Sequence, residues 1–223
     1  MTSRFISAHF TPLGMLRQFE DTFPMPFNLA TAATANTPGN RPFGVARGLF
    51  TPPWVSFSWE TAQVPSFQPG PMAPLIRPAT REEGEEVLKV IMLSLSMDSG
   101  WNDSLALAEE YLKQAIHRLF NAEEPLCLVA PKGNRLIAAS ILEADPLAQN
   151  QLVCGPSVIM EYRNRGIGKH LLHASLSMLK ERGLDSVIGM TRANTAAARY
   201  VYPKFGGKSE PVQITTTKSV PTA

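Results

Sequence analysis

The chain of 223 residues holds only two cysteines and four histidines. That is too few for a disulfide framework, and neither type is clustered as a metal centre requires. Cys127 and Cys154 sit in apolar, strand-like runs, which reads as two buried reduced thiols in a cytoplasmic protein without a metal. No apolar run approaches the roughly 20 residues of a membrane-spanning helix. The N-terminus lacks the basic start and apolar core of a signal peptide. The formal net charge is +2, too small and too evenly divided for nucleic-acid or membrane binding through bulk electrostatics.

Lysine is absent until Lys89 and tyrosine until Tyr111, whereas residues 1–73 hold ten of the nineteen prolines and nine of the eleven phenylalanines. Stretches such as "DTFPMPFNLA" and "FTPPWVSFSWE" keep no helical or strand period for long. This part reads as a disordered N-terminal extension, or as sequence upstream of a translation start at Met72. The composition changes in "PSFQPGPMAPLIRP", where Pro and Gly crowd together. The folded domain is expected over residues 74–213, with a flexible tail over 214–223.

Within that domain "PLIRPA" is a short strand candidate. "TREEGEEVLKVIMLSLSM" is a helix whose Thr80 and Glu83 make a capping-box pattern. A second helix fits residues 104–120, with Leu105, Ala108, Leu112, Ala115, Ile116 and Leu119 at helical spacing. Strands follow in "LCLVAP", "NRLIAASILEAD" and "QLVCGPSVIM", the first two joined by the turn "PKGN". A helix over residues 166–182 ends at Gly183, "DSVIGMT" is a strand, "NTAAARYVYPKF" is a short helix capped by Asn194, and "VQITT" is the last strand. This order predicts an α/β domain with a mixed central sheet and helices on both faces.

One stretch, "EYRNRGIGKHLL" at residues 161–172, carries chemistry: two arginines and two glycines at a helix start, where free backbone N–H groups and the helix dipole favour an anion. The phosphate loop of nucleotide hydrolases needs glycine at 163 and a hydroxyl after the lysine, but Arg163 and His170 stand there. A dinucleotide fingerprint needs a third glycine where Leu171 stands. What remains is R-x-x-G-x-G between a strand and a helix, followed by a strand and by "N-x7-Y-P-K-F-G".

That succession resembles the GCN5-related N-acetyltransferase superfamily over nearly all of residues 74–213. The resemblance implies that family's fold, with acetyl-CoA as co-substrate and a primary amine of a small molecule or protein as acceptor. It places pantetheine on the opened backbone of Val158, Ile159 and Met160, with "CGPS" just before suited to disrupting a ladder. It places the pyrophosphate on Arg165, Gly166, Ile167, Gly168 and Lys169, with Arg163 alongside, and the cofactor arm near Asn194. Two departures bear on the site. Met160 stands where proline is common, and the family's Asn usually lies one residue closer to its Tyr.

The implied reaction is direct attack in a ternary complex, with backbone N–H near Met160 stabilising the oxyanion and Tyr202 protonating the thiolate. Glu143 is the expected general base, ahead of Asp145 and Glu161. Asp98, Trp101 and Asp103 are expected to receive the amine. The alternative is a catalytically silent CoA-binding sensor or interaction module of the same fold. Nucleic acid and membranes are not expected partners, and a homodimer is left open.

Overall fold

The computed structural model describes residues 53–71, 73–122 and 124–212, all within one unit of the chain, 41–223. The extension's first 52 residues, the tail and residues 213–216 of "VQITT" lie outside the described residues.

The first element falls inside the stretch expected to precede the domain. Strand β1, Trp54–Glu60, buries Val55, Phe57 and Trp59 on one face while Ser56 and Ser58 are half-buried on the other. Two prolines before it and Pro65 after it left a window too short for its strand period to stand out. The boundary at residue 74 is corrected accordingly: β1 is the middle strand of a sheet, and a chain starting at Met72 would lack it.

The remaining elements follow the expected order. They are β2 (Arg77–Pro78), α1 (Gly84–Ser96), α2 (Leu105–Phe120), β3 (Cys127–Lys132), β4 (Arg135–Ile141), β5 (Cys154–Val158), α3 (Ile167–Glu181), β6 (Ser186–Arg192), α4 (Ala196–Tyr200) and β7 (Lys208–Pro211). The last strand thus begins before the "VQITT" expected to form it. At the start of α1, Thr80 N–H donates to the Glu83 carboxylate at 2.7 Å, as the capping box requires. The cap of α4 is Thr195 and not Asn194: the Thr195 hydroxyl accepts from Ala198 N–H at 3.3 Å.

The described strands form two ladders, β2-β3-β4-β5 and β6-β1-β7. In the second, β1 runs antiparallel to both neighbours, pairing Trp54–Glu60 with Ser186–Arg192 and Val55–Ser58 with Lys208–Pro211. The Thr61 hydroxyl then donates to Leu184 O at 2.8 Å, tying the strand's end to the segment entering β6. Residues Leu136–Ile141 of β4 are all buried, because α1 and α3 both pack against this strand.

The two ladders meet where Leu152 N–H donates to Ile188 O at 3.0 Å. Beyond that point β5 and β6, joined through α3, diverge without pairing as a ladder.

Trp59 is 1 % exposed and packs against Phe57 and Tyr202. Trp59→Ala should cost about 3–5 kcal/mol, whereas Leu75→Ala, at a side chain 71 % exposed, should be near neutral. Denaturant unfolding of the two variants checks this, and equal midpoints would remove β1 from the core.

Candidate functional site

The fork between β5 and β6 opens because β5 cannot hold its register. On β4, Ala139 and Ile141 face Ser157 and Cys154 of β5, so β5 carries an extra residue across from Ser140. Gly155 takes φ +126° there, and a Cβ on it would lie 2.8 Å from Ser140 Cα. Only glycine fits this approach. The peptide bond from Gly155 to Pro156 is cis. This irregularity lies at the "CGPS" expected to disrupt the ladder, upstream of Val158, Ile159 and Met160. Val158 still pairs with Ala138, and Ile159 N–H donates to Ile137 O at 3.1 Å.

A cavity of about 390 Å³ fills the fork. Its walls are Val153–Val158 of the β5 segment, Met190 and Thr191 of β6, and the Thr195–Tyr202 segment. Ser94 and Leu95 of α1 close one side, and the turn from Arg163 to Lys169 closes another. Of the expected cofactor residues, Val158, Arg163, Gly166, Ile167, Gly168 and Lys169 line it. Ile159, Met160, Arg165 and Asn194 are not in its lining.

The turn leading into α3 is built for close approach. Asn164 and Gly166 take φ +61° and +80°, and α3 starts at Ile167 with no acidic side chain in its first turn. Its first N–H groups have no partner within the helix, and the helix dipole adds positive potential there. A Cβ on Gly168 would lie 3.8 Å from Val158 and Val201 side-chain atoms and 3.9 Å from Pro156. The fold therefore tolerates a small side chain at 168, but that side chain occupies cavity. Lys169 and Lys204 face each other at this end, and their mutual repulsion holds Lys169 below the usual lysine range. An anion between them would relieve that cost.

The two arginines do other work. Arg163 Nε donates to Val158 O at 3.0 Å, and its Nη2 donates to Ser94 O at 2.6 Å, satisfying a carbonyl at the end of α1. It braces the loop against α1. Arg165 lies over the Tyr162 ring at 5.3 Å, with Lys132 at 4.8 Å and Arg135 at 5.4 Å.

The expected acceptor loop divides. Asp98 lines the cavity, accepting from Gly100 N–H at 3.0 Å and from Ala196 N–H, at the start of α4, at 3.3 Å. Trp101 also lines it, edge-on to Trp54 at 5.6 Å. Asp103 stands apart: both its oxygens accept from Arg192 at 2.9 Å, and Arg192 in turn lies over Trp54 at 4.7 Å. This ion pair locks the loop to the end of β6. Asn194 packs against Gly100, its buried Oδ1 without a hydrogen-bond partner.

Tyr202 is 3 % exposed, and its hydroxyl donates to Gly155 O at 2.6 Å, at the bulge. Burial pushes its pKa far above the usual tyrosine value. Tyr200 is 63 % exposed at the rim. Glu143 is outside the cavity lining, its carboxylate accepting from Asp145 N–H at 3.2 Å. Asp98 carries the sole carboxylate among the described lining residues. Cys154 lines the cavity as a free thiol that burial raises to about 11, a neutral group and not a nucleophile near pH 7. Among the described residues no group of three His, Cys, Asp or Glu could hold a metal, and no helix is long and apolar enough to cross a membrane.

Sequence reasoning passed over Ser94, Thr195, Val201 and Lys204, all of which line the cavity. Thr195 carried a signal, since it lies one residue closer to Tyr202 than Asn194 does.

The model of the Acetyltransferase (GNAT) family matches residues 91–206, more than half of the chain, and the protein belongs to that family. It is 31% identical over 104 residues to "N-alpha-acetyltransferase 30" of Schizosaccharomyces pombe, covering 45% of this chain and 69% of that protein. A solved acetyltransferase of the GNAT family from Colwellia psychrerythraea superposes with a TM-score of 0.50 at 17% identity, over 71% of this chain. This chain spans 53% of that one, and the likeness is one of fold.

Removing Asp103 leaves the buried Arg192 charge without its carboxylate. Because Asp103 is itself partly solvated, Asp103→Ala should cost about 2–3 kcal/mol, below the loss for breaking a fully buried pair. Thermal unfolding tests this; an unchanged Tm combined with weakened amine binding would return Asp103 to a substrate role.

Proposed function

We propose that the protein transfers the acetyl group of acetyl-CoA to a primary amine by direct attack in a ternary complex. The carrying observation is a single cavity that joins the β5/β6 fork to the start of α3. The residues fit this co-substrate. A cleft between strands suits the pantetheine arm, and the glycine turn, orphan N–H groups and Lys169–Lys204 pair suit a pyrophosphate. The name of the fission-yeast relative makes a protein's N-terminal α-amine the first acceptor to test.

In this reading the neutral amine attacks the thioester carbonyl, the C–N bond forms and the C–S bond breaks. Tyr202 hands its proton to the departing thiolate and recovers one from the new amide nitrogen, which sheds its extra proton as the C–S bond breaks. Burial keeps that hydroxyl protonated through the working pH range, and its bond to Gly155 O fixes it at the fork. Asp98 is already engaged with two backbone N–H groups and Glu143 stands outside the lining, so the amine gives up its proton to solvent before attack. The pH profile then reports the acceptor. Rate should rise to a plateau near pH 8 for an α-amine, and keep rising toward about 10.4 for a lysine side chain.

The assay is release of free CoA with peptides bearing a free N-terminus, against peptides with a blocked N-terminus and an internal lysine. Turnover with the first set alone is expected. CoA binding without transfer to any amine would favour a CoA-binding module, the alternative function for this fold.

Gly168→Val should fold but raise the KM for acetyl-CoA at least about 10-fold, since one lost charge-assisted hydrogen bond is worth ~1.5–3 kcal/mol. Tyr202→Phe should lower kcat about 10²-fold with little change in that KM. Its defect should shrink as pH passes the thiol range near about 8.5, where the leaving group no longer needs a proton. A larger defect in Tyr200→Phe would assign the acid to the rim.

A further inference from the structure

We infer that Phe57 and Trp59 of β1 are positioning residues for Tyr202, so that a strand from the proline-rich segment, upstream of the region matched by the family model, is part of the catalytic apparatus. The inference rests on the general-acid reading of Tyr202.

Tyr202 does not belong to α4. It opens a separate single turn, Tyr202–Phe205, with Pro203 next to it. A turn so short cannot hold a ring by its own hydrogen bonds. Packing must set the direction of the hydroxyl.

That packing comes from β1. Phe57 meets the Tyr202 ring edge-on at 4.9 Å and 76°, and Trp59 meets it at 5.1 Å and 86°. Both are buried, at 3 % and 1 % exposure. Behind them Gly207 leaves no slack, since a Cβ there would lie 2.8 Å from Trp59 Nε1 and 2.9 Å from Tyr202 O. The backbone under the rings is held: Phe57 is paired on both sides, with Gly189 of β6 and Ser209 of β7, and Trp59 is paired with Val187 of β6. The clamp therefore runs from a paired strand, through two aromatic edges, to a hydroxyl 2.6 Å from Gly155 O at the bulge. Strand position and hydroxyl position are one variable.

The test is a double-mutant cycle in the full-length chain, below the melting temperature of every variant, with folding followed by circular dichroism. Phe57→Leu should lower kcat by about 10-fold or more, as a displaced reacting group does, while the KM for acetyl-CoA stays within about two-fold. In a Tyr202→Phe background the same change should lower kcat less than about two-fold, because the group being aimed is already gone. Trp59→Leu should repeat the pattern, and Trp59→Phe, which keeps an aromatic edge, should restore most of kcat; this pair serves if Phe57→Leu does not fold. An equal loss of kcat in both backgrounds overturns the inference and leaves β1 a structural strand. Undiminished kcat in Tyr202→Phe itself overturns instead the reading on which the inference rests.

Discussion

One residue's worth of mismatch between β4 and β5 governs the site. Ser140 leaves no room for a side chain at Gly155, and Gly155 takes a backbone conformation that other residues avoid. The strand bulges there while staying paired with β4 on either side, β5 and β6 part, and a cavity lies between them. Everything chemical hangs on that parting: the α3 start at one end, the Tyr202 hydroxyl on the bulge, and the α1–α2 loop along the side.

Charge is divided by burial into structural and functional parts. Arg163 and Arg192 are spent inside, one on carbonyls at the end of α1 and the fork, the other on Asp103. Lys169 and Lys204 face the cavity and repel each other. Like charges held together beside a helix N-terminus are unfavourable alone, and a phosphate between them would relieve that cost. Arg165, drawn over Tyr162 with two other cations, marks a separate positive surface.

The strand β1 changes how the proline-rich segment is understood. Trp54, Phe57 and Trp59 are buried in a strand paired on both sides, and among the described residues Pro53 and Pro65 flank it outside the ladder, where a missing N–H costs nothing. A strand supplied from far upstream in the chain closes the β6–β7 sheet and carries the aromatic rings against the Tyr202 turn.

The amino-acid sequence determined by itself what depends on local pattern. Helical spacing placed α1, α2 and α3, alternation and turn residues placed β3 to β6, and the spacing of Arg163, Gly166 and Gly168 at a helix start located the turn that lines the cavity. Each rests on contacts between residues close in sequence, so the chemistry is written where it acts. Tertiary structure alone decided the pairing of β1, because a seven-residue strand between prolines has no local period long enough to read and its partners lie at the far end of the chain. It decided which arginine is structural and which lysines face the cavity, because the motif names residue types and not their partners. The Thr195 cap of α4 is a local contact with Ala198, three residues on. Tertiary structure turned Asp103 into an anchor, because Arg192, 89 residues away and buried over Trp54, takes both of its oxygens.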